Sequence, residues 1–248
     1  MAGVIGTPVN NSNRIRIEGN VPIWQTISAS NIFIISRGFA GVNGITGTSM
    51  MLRNRDWGAV AYLTHSRYGR NGTRITINNN EQSRTGFGGD TPTAAATNNT
   101  ANAENRWYGE FGRLASTTGN TYGIYDMAGG LWEYVAAYVN NGNANLTTHA
   151  SAILNADTRY KDRYVMGATD TNVNNYNANA HIYGNAVFET SLSGNSISGA
   201  WFGARTGFPS ALSPVFLRRR SLGPRHGYRL FHILPHQPAV RKPVLVGA

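Results

Sequence analysis

The chain has no cysteine among its 248 residues, which excludes disulfides, thiolate metal sites and a cysteine nucleophile. It also lacks any apolar run of about 18 residues, so no segment reads as a membrane span. The opening Met-Ala-Gly-Val-Ile-Gly-Thr-Pro has no basic segment followed by an apolar core, so no secretory signal is visible. Export would need another route, such as assembly into a virion, or a leader lying outside this sequence. Acid is missing from one end: residues 1–189 carry 14 Lys/Arg against all 12 acids, whereas residues 190–248 carry 8 Lys/Arg and none. A basic end favours nucleic acid, anionic glycans or an acidic protein surface, and a solubilising tail is the plain alternative. The histidines, His65, His149, His181, His226, His232 and His236, show no metal-enzyme spacing apart from His232-x-x-x-His236, which Pro235 interrupts.

A hydrophobic content of 41% is enough for a real core, and the length reads as one domain over 1–234 followed by an irregular, proline-bearing tail over 235–248. Near the start, Ile15 and Ile17 alternate with Arg14, Arg16 and Glu18, as in a strand that turns at Gly19-Asn20. Residues 31–36 read as a short apolar strand, and Gly38, Gly41, Gly44 and Gly47 read as the loop after it. The spacing of Trp57, Val60, Ala61, Leu63, Thr64 and Tyr68 predicts a helix over 54–68, with Asn54 as cap, Asp56 in the first turn and Gly69 at the end. Two stretches rich in Asn, Thr, Gly and Ala, near 70–115 and 140–180, read as inserted surface loops, the first with a short hairpin near 74–77. Tyr160, Tyr164 and Tyr176 stud the second, and tyrosine in polar loops supplies contact area in many binding surfaces and also occurs in loops that bind nothing.

Residues 116–138 organise the rest. They open on a Gly119-Asn120 turn, pass through a polar loop at 126–130, and then alternate Leu131, Glu133, Val135 against Trp132, Tyr134, Ala136 as a buried strand. Asp126 and Glu133 are acids in an apolar setting, and ionised carboxylates there need cations or hydrogen-bond donors. Gly123-Ile124-Tyr125-Asp126-Met127-Ala128-Gly129-Gly130-Leu131-Trp132-Glu133-Tyr134 resembles the signature of the formylglycine-generating-enzyme, or sulfatase-modifying-factor, family. Trp57-Gly58-Ala59-Val60-Ala61 looks like that family's tryptophan-bearing helix. Gly184-Asn185-Ala186-Val187-Phe188-Glu189-Thr190-Ser191 is similar to a segment of its bacterial members, and Gly227-Tyr228-Arg229-Leu230 resembles its ending. The resemblance implies an α+β, C-type-lectin-like fold with few helices, short antiparallel strands and long loops, the fold also used by the variable proteins of diversity-generating retroelements. Phe216-Leu217-Arg218-Arg219-Arg220 departs from the family's Arg-Gly-Gly strand. Glycines there would permit close packing or positive φ, so Arg219 and Arg220 either project outward or distort the strand. A changed reading frame near residue 219 is a second account of the sudden loss of acids.

The resemblance implies a structural calcium held by Asp126, Gly129, Leu131 and Glu133, an all-oxygen set suited to that ion. The alternative is that Asp126 caps the turn and Glu133 pairs with an arginine in the core. A second site is the C-terminal surface of Trp201, Arg205, Phe208, Arg218, Arg219, Arg220, Arg225, His226 and Tyr228, residue types that dominate binding hot spots, placed where lectin-fold variable proteins contact ligand. Trp201, Phe202 and Phe216 also read as core.

These observations lead to an expected function: a non-enzymatic recognition module, an adhesin or receptor-binding protein on a phage or bacterial surface, binding a protein or glycan. A retroelement-diversified variable protein is a narrower form of that reading. Formylglycine generation depends on active-site cysteines, so the absence of cysteine argues against that activity or a related iron-dependent oxidase. Binding of nucleic acid or another polyanion through the basic end is a third reading.

Overall fold

Val135, Ala136, Ala137, Tyr138 and Val139 are consecutive and all buried, which an alternating strand achieves only when both of its faces are covered. In the computed structural model, which describes residues 27–73, 75, 107–125, 127, 132–187, 208–211, 213–218 and 228–229, they form the middle of strand β1, Trp132–Asn140. The structure is α+β. Its other elements are α1 (Ala29–Val42), α2 (Asn54–His65), α3 (Glu110–Leu114), α4 (Ala144–Leu154), β2 (Asp162–Val165), α5 (Asn172–Asn179), β3 (Val215–Arg218) and β4 (Tyr228–Arg229).

Strand β1 is the hub of the sheet. Strand β3 runs antiparallel to it, and β2 and β4 run parallel to it at its two ends. The sheet is therefore mixed, where short antiparallel strands were expected. A parallel partner needs a crossover, and α4 supplies it between β1 and β2. Where the ladder to β3 shifts register, between Tyr134 and Tyr138, the Ala136 N–H donates to the Leu52 carbonyl at 2.7 Å.

The pleat of β1 divides the core. Val135, Ala137 and Val139 pack with Trp57, Met127, Tyr164, Phe208 and Phe216. Ala136 and Tyr138 pack with Ile32, Phe33, Met51, Leu146 and Ile153 on the other side. Phe208, Phe216 and Tyr164 form a ring cluster with centroids 4.8–5.9 Å apart, edge-on or tilted, as aromatic quadrupoles prefer.

Helix α1 replaces the expected strand at 31–36 and takes in Gly38 and Gly41. Burial of Ile32, Phe33, Ile35, Ser36, Phe39 and Ala40 follows helical spacing, and the Ser28 side chain accepts from the Asn31 N–H at 3.2 Å. Both glycines lie on its exposed face. Helix α2 forms where expected but ends at His65, and Arg53 rather than Asn54 stands at its cap. The Asp56 carboxylate accepts from the Arg53 N–H at 3.0 Å and from its guanidinium at 2.7 and 2.9 Å. Of the hairpin expected near 74–77 only the buried Ile75 is described, and the tail over 235–248 lies outside the described residues.

The stretch over 140–180 is not a set of inserted loops: it supplies α4, β2 and α5. Its asparagines explain why. Asn179 accepts from the Val165 N–H at 3.0 Å and donates to the Val165 carbonyl at 2.8 Å, so its amide stands in for a neighbouring strand on β2. Asn175 accepts from the Gly167 N–H and donates to Asp170 Oδ1, each at 2.8 Å, and to the Pro209 carbonyl at 2.9 Å. Both are buried, with their hydrogen-bonding capacity used.

Candidate functional site

Of the two sequence-derived sites, Glu133, Phe208 and Arg218 lie in the interior. Arg218 is 0% exposed, Glu133 is 1% exposed and Phe208 belongs to the ring cluster, so neither Arg218 nor Phe208 is part of an open ligand surface, a correction to the expectation above. Arg218 ends β3, whose packing against β1 carries its side chain inward. The backbone of Tyr228 pairs with Trp132 in the sheet. Trp201, Arg205, Arg219, Arg220, Arg225 and His226, with the metal candidates Asp126, Gly129 and Leu131, lie outside the described residues.

Around Arg218 the structure assembles a buried polar centre from four chain segments. Arg218 Nε donates to Asn54 Oδ1 at 2.8 Å, Nη2 donates to the same oxygen, and Nη2 also reaches the Ala186 carbonyl at 3.0 Å. The guanidinium carbon lies 4.4 Å from the centre of the Trp57 ring. Asn54 Nδ2 in turn donates to the Tyr164 hydroxyl at 2.9 Å and to the Asn185 carbonyl at 2.6 Å, and Asn185 Nδ2 donates to the same hydroxyl at 3.1 Å. Burial, reinforced by the negative charge of Asp162, pushes the Tyr164 phenol up to about 12, against the opposing pull of its amide donors and Arg218. In register, Glu133 stands opposite Arg218 on β3 and opposite Arg229 on β4. Gly58 lets α2 close on this centre, since a Cβ there would sit 2.9 Å from that of Ala186. The centre is sealed and holds a neutral phenol, so its role is to lock α2, β2, β3 and the 184–187 segment together.

The open surface lies elsewhere, at the C-terminal end of α2. Tyr68 is 76% exposed and Tyr122 87% exposed, and Trp107 and Tyr108 are exposed beside each other, edge to face at 5.4 Å. Three segments meet here. The Tyr125 hydroxyl donates to the Trp107 carbonyl at 2.9 Å and the Asn120 carbonyl at 3.2 Å. Arg70 lies so close over Gly119 that a Cβ at that glycine would come within 2.6 Å of its Nη1, and Gly119 takes a φ of +72°, which excludes most side chains in any case. Arg67 donates to the Tyr68 hydroxyl at 2.6 Å and stacks 4.8 Å from its ring.

The loop that carries Tyr122 is braced from within. Thr117 N–H donates to the Ile124 carbonyl at 2.9 Å, Ile124 N–H donates to Thr117 Oγ1 at 2.9 Å, and Tyr122 N–H donates to Asn120 Oδ1 at 2.8 Å. An exposed ring on a fixed backbone gives contact area at a small ordering cost. The sequence shows the Gly119-Asn120 turn but not that the turn meets Arg70 and the Trp107 backbone. The signal was the polar, hydrogen-bonding Ser-Thr-Thr-Gly-Asn-Thr run itself.

Among the described residues no group of three or more His, Cys, Asp or Glu is placed to hold a metal, and no helix is long and apolar enough to cross a membrane. The chain matches no family model, no curated protein and no solved structure.

Proposed function

We propose that this protein is a non-enzymatic recognition module, displayed on a phage or bacterial surface, that engages a protein or glycan through the aromatic surface of Tyr68, Trp107, Tyr108 and Tyr122. The single observation that carries the reading is the exposure of Tyr122 on a loop whose backbone is tied down on both sides. Aromatics and arginine are the residue types that concentrate binding energy, and Arg67 lies among them. The C-type-lectin-like identity of the α+β core belongs to the same proposal. What supports it is the likeness of residues 123–134 to the family signature and the placement of Trp132-Glu133-Tyr134 in the central strand. On a glycan and surface-protein array, Tyr122→Ala and Trp107→Ala are expected each to weaken the strongest signal by about ten-fold or more, with no change in melting temperature. Unchanged binding by both variants would remove the surface from the reading.

The segment over 126–133 has two readings with different tests. Calcium would be held by Asp126, Gly129, Leu131 and Glu133. The register of Glu133 opposite Arg218 fits the other reading better, because a guanidinium on the facing strand position opposes a divalent cation and offers the carboxylate a counter-charge. Chelator is therefore expected to leave the melting temperature unchanged. A fall reversed by calcium, with uptake seen in calorimetry, would reinstate the metal.

A further inference from the structure

At the other end of α2, away from the aromatic surface, cations collect on three elements. Arg37 of α1 places its guanidinium 3.5 Å from the centre of the Tyr160 ring, and Arg159 places its own 4.6 Å from the same ring. Arg53 donates to the Arg159 carbonyl at 2.9 Å. Lys161 donates to the Leu154 carbonyl at 2.5 Å and lies 5.8 Å from the Tyr138 ring, and Tyr138 pairs across the sheet with Arg163. Thr158–Tyr160 form a 3-10 turn and residues 161–165 are extended, so Lys161 and Arg163 share one side while Asp162 and Tyr164 turn inward, and Arg159 stands with Arg37 at the Tyr160 ring.

Three acids answer these charges. Asp56 is taken by Arg53 at 2.7 Å, Asp162 by Arg55 at 2.5 Å, and Asp157 meets Arg159 only at 3.9 Å with both side chains mostly in solvent. That leaves Arg37, Lys161 and Arg163 without an acidic partner among the described residues, and Arg37 Nη1, though buried, meets no acceptor. The crowding has an electrostatic sign: burial and then the neighbouring Arg163 lower the Lys161 ammonium below its ordinary value, with Asp157 opposing. An anion brought to this face would relieve it.

We infer that the face formed by Arg37, Arg159, Lys161 and Arg163 binds an anionic polysaccharide. Two features choose a polysaccharide over nucleic acid. Tyr160 is covered by guanidinium groups and Tyr138 and Tyr164 are buried, so no described ring on this face is open for a base to stack on. The other is the reading of the chain as a recognition module, on which this choice of polymer rests; the charge surface itself stands without it.

The test uses the full chain and dextran sulfate, with neutral dextran and single-stranded DNA of matched charge density as comparators. Arg159→Gln/Arg163→Gln removes two exposed cations. It is expected to weaken dextran sulfate binding about ten-fold or more at about 50 mM salt, and to flatten the salt dependence. The melting temperature should be unchanged, since the one ion pair lost is long and exposed. The control, Arg219→Gln/Arg220→Gln/Arg241→Gln/Lys242→Gln, removes more charge from the basic end and should cost less. If the control costs more than the double variant, the face is wrong. If DNA binds as tightly as dextran sulfate, the choice of polysaccharide is wrong. Loss of array binding in the Tyr122 and Trp107 variants is read separately, so failure of the recognition reading, which would remove the choice of polymer, is distinguishable from failure of the cationic face.

Discussion

Arg218→Ala is expected to destabilise the fold by about 3–5 kcal/mol, the range seen when one member of a buried charged network is removed. The magnitude follows from what the guanidinium leaves behind. Asn54 Oδ1 loses both of its Arg218 donors and the Ala186 carbonyl loses one, all in the interior. Glu133, 1% exposed, keeps its place opposite residue 218 with the positive charge of that position gone. The Trp57 ring loses the cation over its face. Arg218→Lys should recover little of this, because a single ammonium cannot span Asn54 and the Ala186 carbonyl as a planar fork does. Arg218→Met combined with Glu133→Gln should cost clearly less than the sum of the two single changes, since the pair would leave no lone buried charge. Urea midpoints of the wild type, Arg218→Ala, Arg218→Lys, Arg218→Met, Glu133→Gln and the double variant give the answer. A single Arg218→Ala cost below about 1 kcal/mol would mean that the buried centre does not hold the elements together.

The difference between what was legible in the sequence and what was not has a physical origin at each point. β1 could be read because Trp132-Glu133-Tyr134-Val135-Ala136-Ala137-Tyr138-Val139 is rich in aromatic and β-branched residues with a single acid, long enough to span a sheet and covered on both faces. α2 could be read because its apolar residues recur at helical spacing behind an acid in the first turn. α1 was misread because Ile32, Phe33, Ile34 and Ile35 form a contiguous apolar run that periodicity alone cannot assign, and the glycines after it happen to fall on an open helix face. The asparagine-rich stretch looked like loop because composition counts Asn as a solvent residue. Asn175 and Asn179 instead spend their amides on backbone groups and on the Asp170 carboxylate, a contact pattern that exists only once α5 lies on β2. Arg218 was placed on the surface for the same reason, since only the β1–β3 register reveals an acid opposite it. Of the site, the turn at Gly119 could be foreseen, and its meeting with Arg70 and the Trp107 backbone could not, because it joins residues far apart in the chain.

Stability is expected to fall as pH rises from about 10 to about 12, and Tyr164→Phe should remove much of that loss. The sign follows from the raised phenol. Below its ordinary value near 10 both the folded and the unfolded chain keep the Tyr164 proton, and the stabilisation is fully present. Between 10 and about 12 the unfolded chain ionises while the folded chain does not, which draws the equilibrium towards unfolding. Above that the contribution is gone. A shift of this size corresponds to on the order of 2–3 kcal/mol. Tyr138, also raised by burial though pulled down by Arg163, adds to the same slope, so Tyr138→Phe is the companion variant. At neutral pH, Tyr164→Phe should itself cost about 1–2 kcal/mol, because Asn54 Nδ2 and Asn185 Nδ2 lose a shared acceptor while the ring contacts with Phe208 and Phe216 survive. The two effects separate cleanly in denaturant midpoints measured at about pH 8 and about pH 11.5: the variant should start lower and fall less. Parallel falls in wild type and variant would show that Tyr164 ionises freely in the folded chain, and the sealed centre around Arg218 would then have to be open to water.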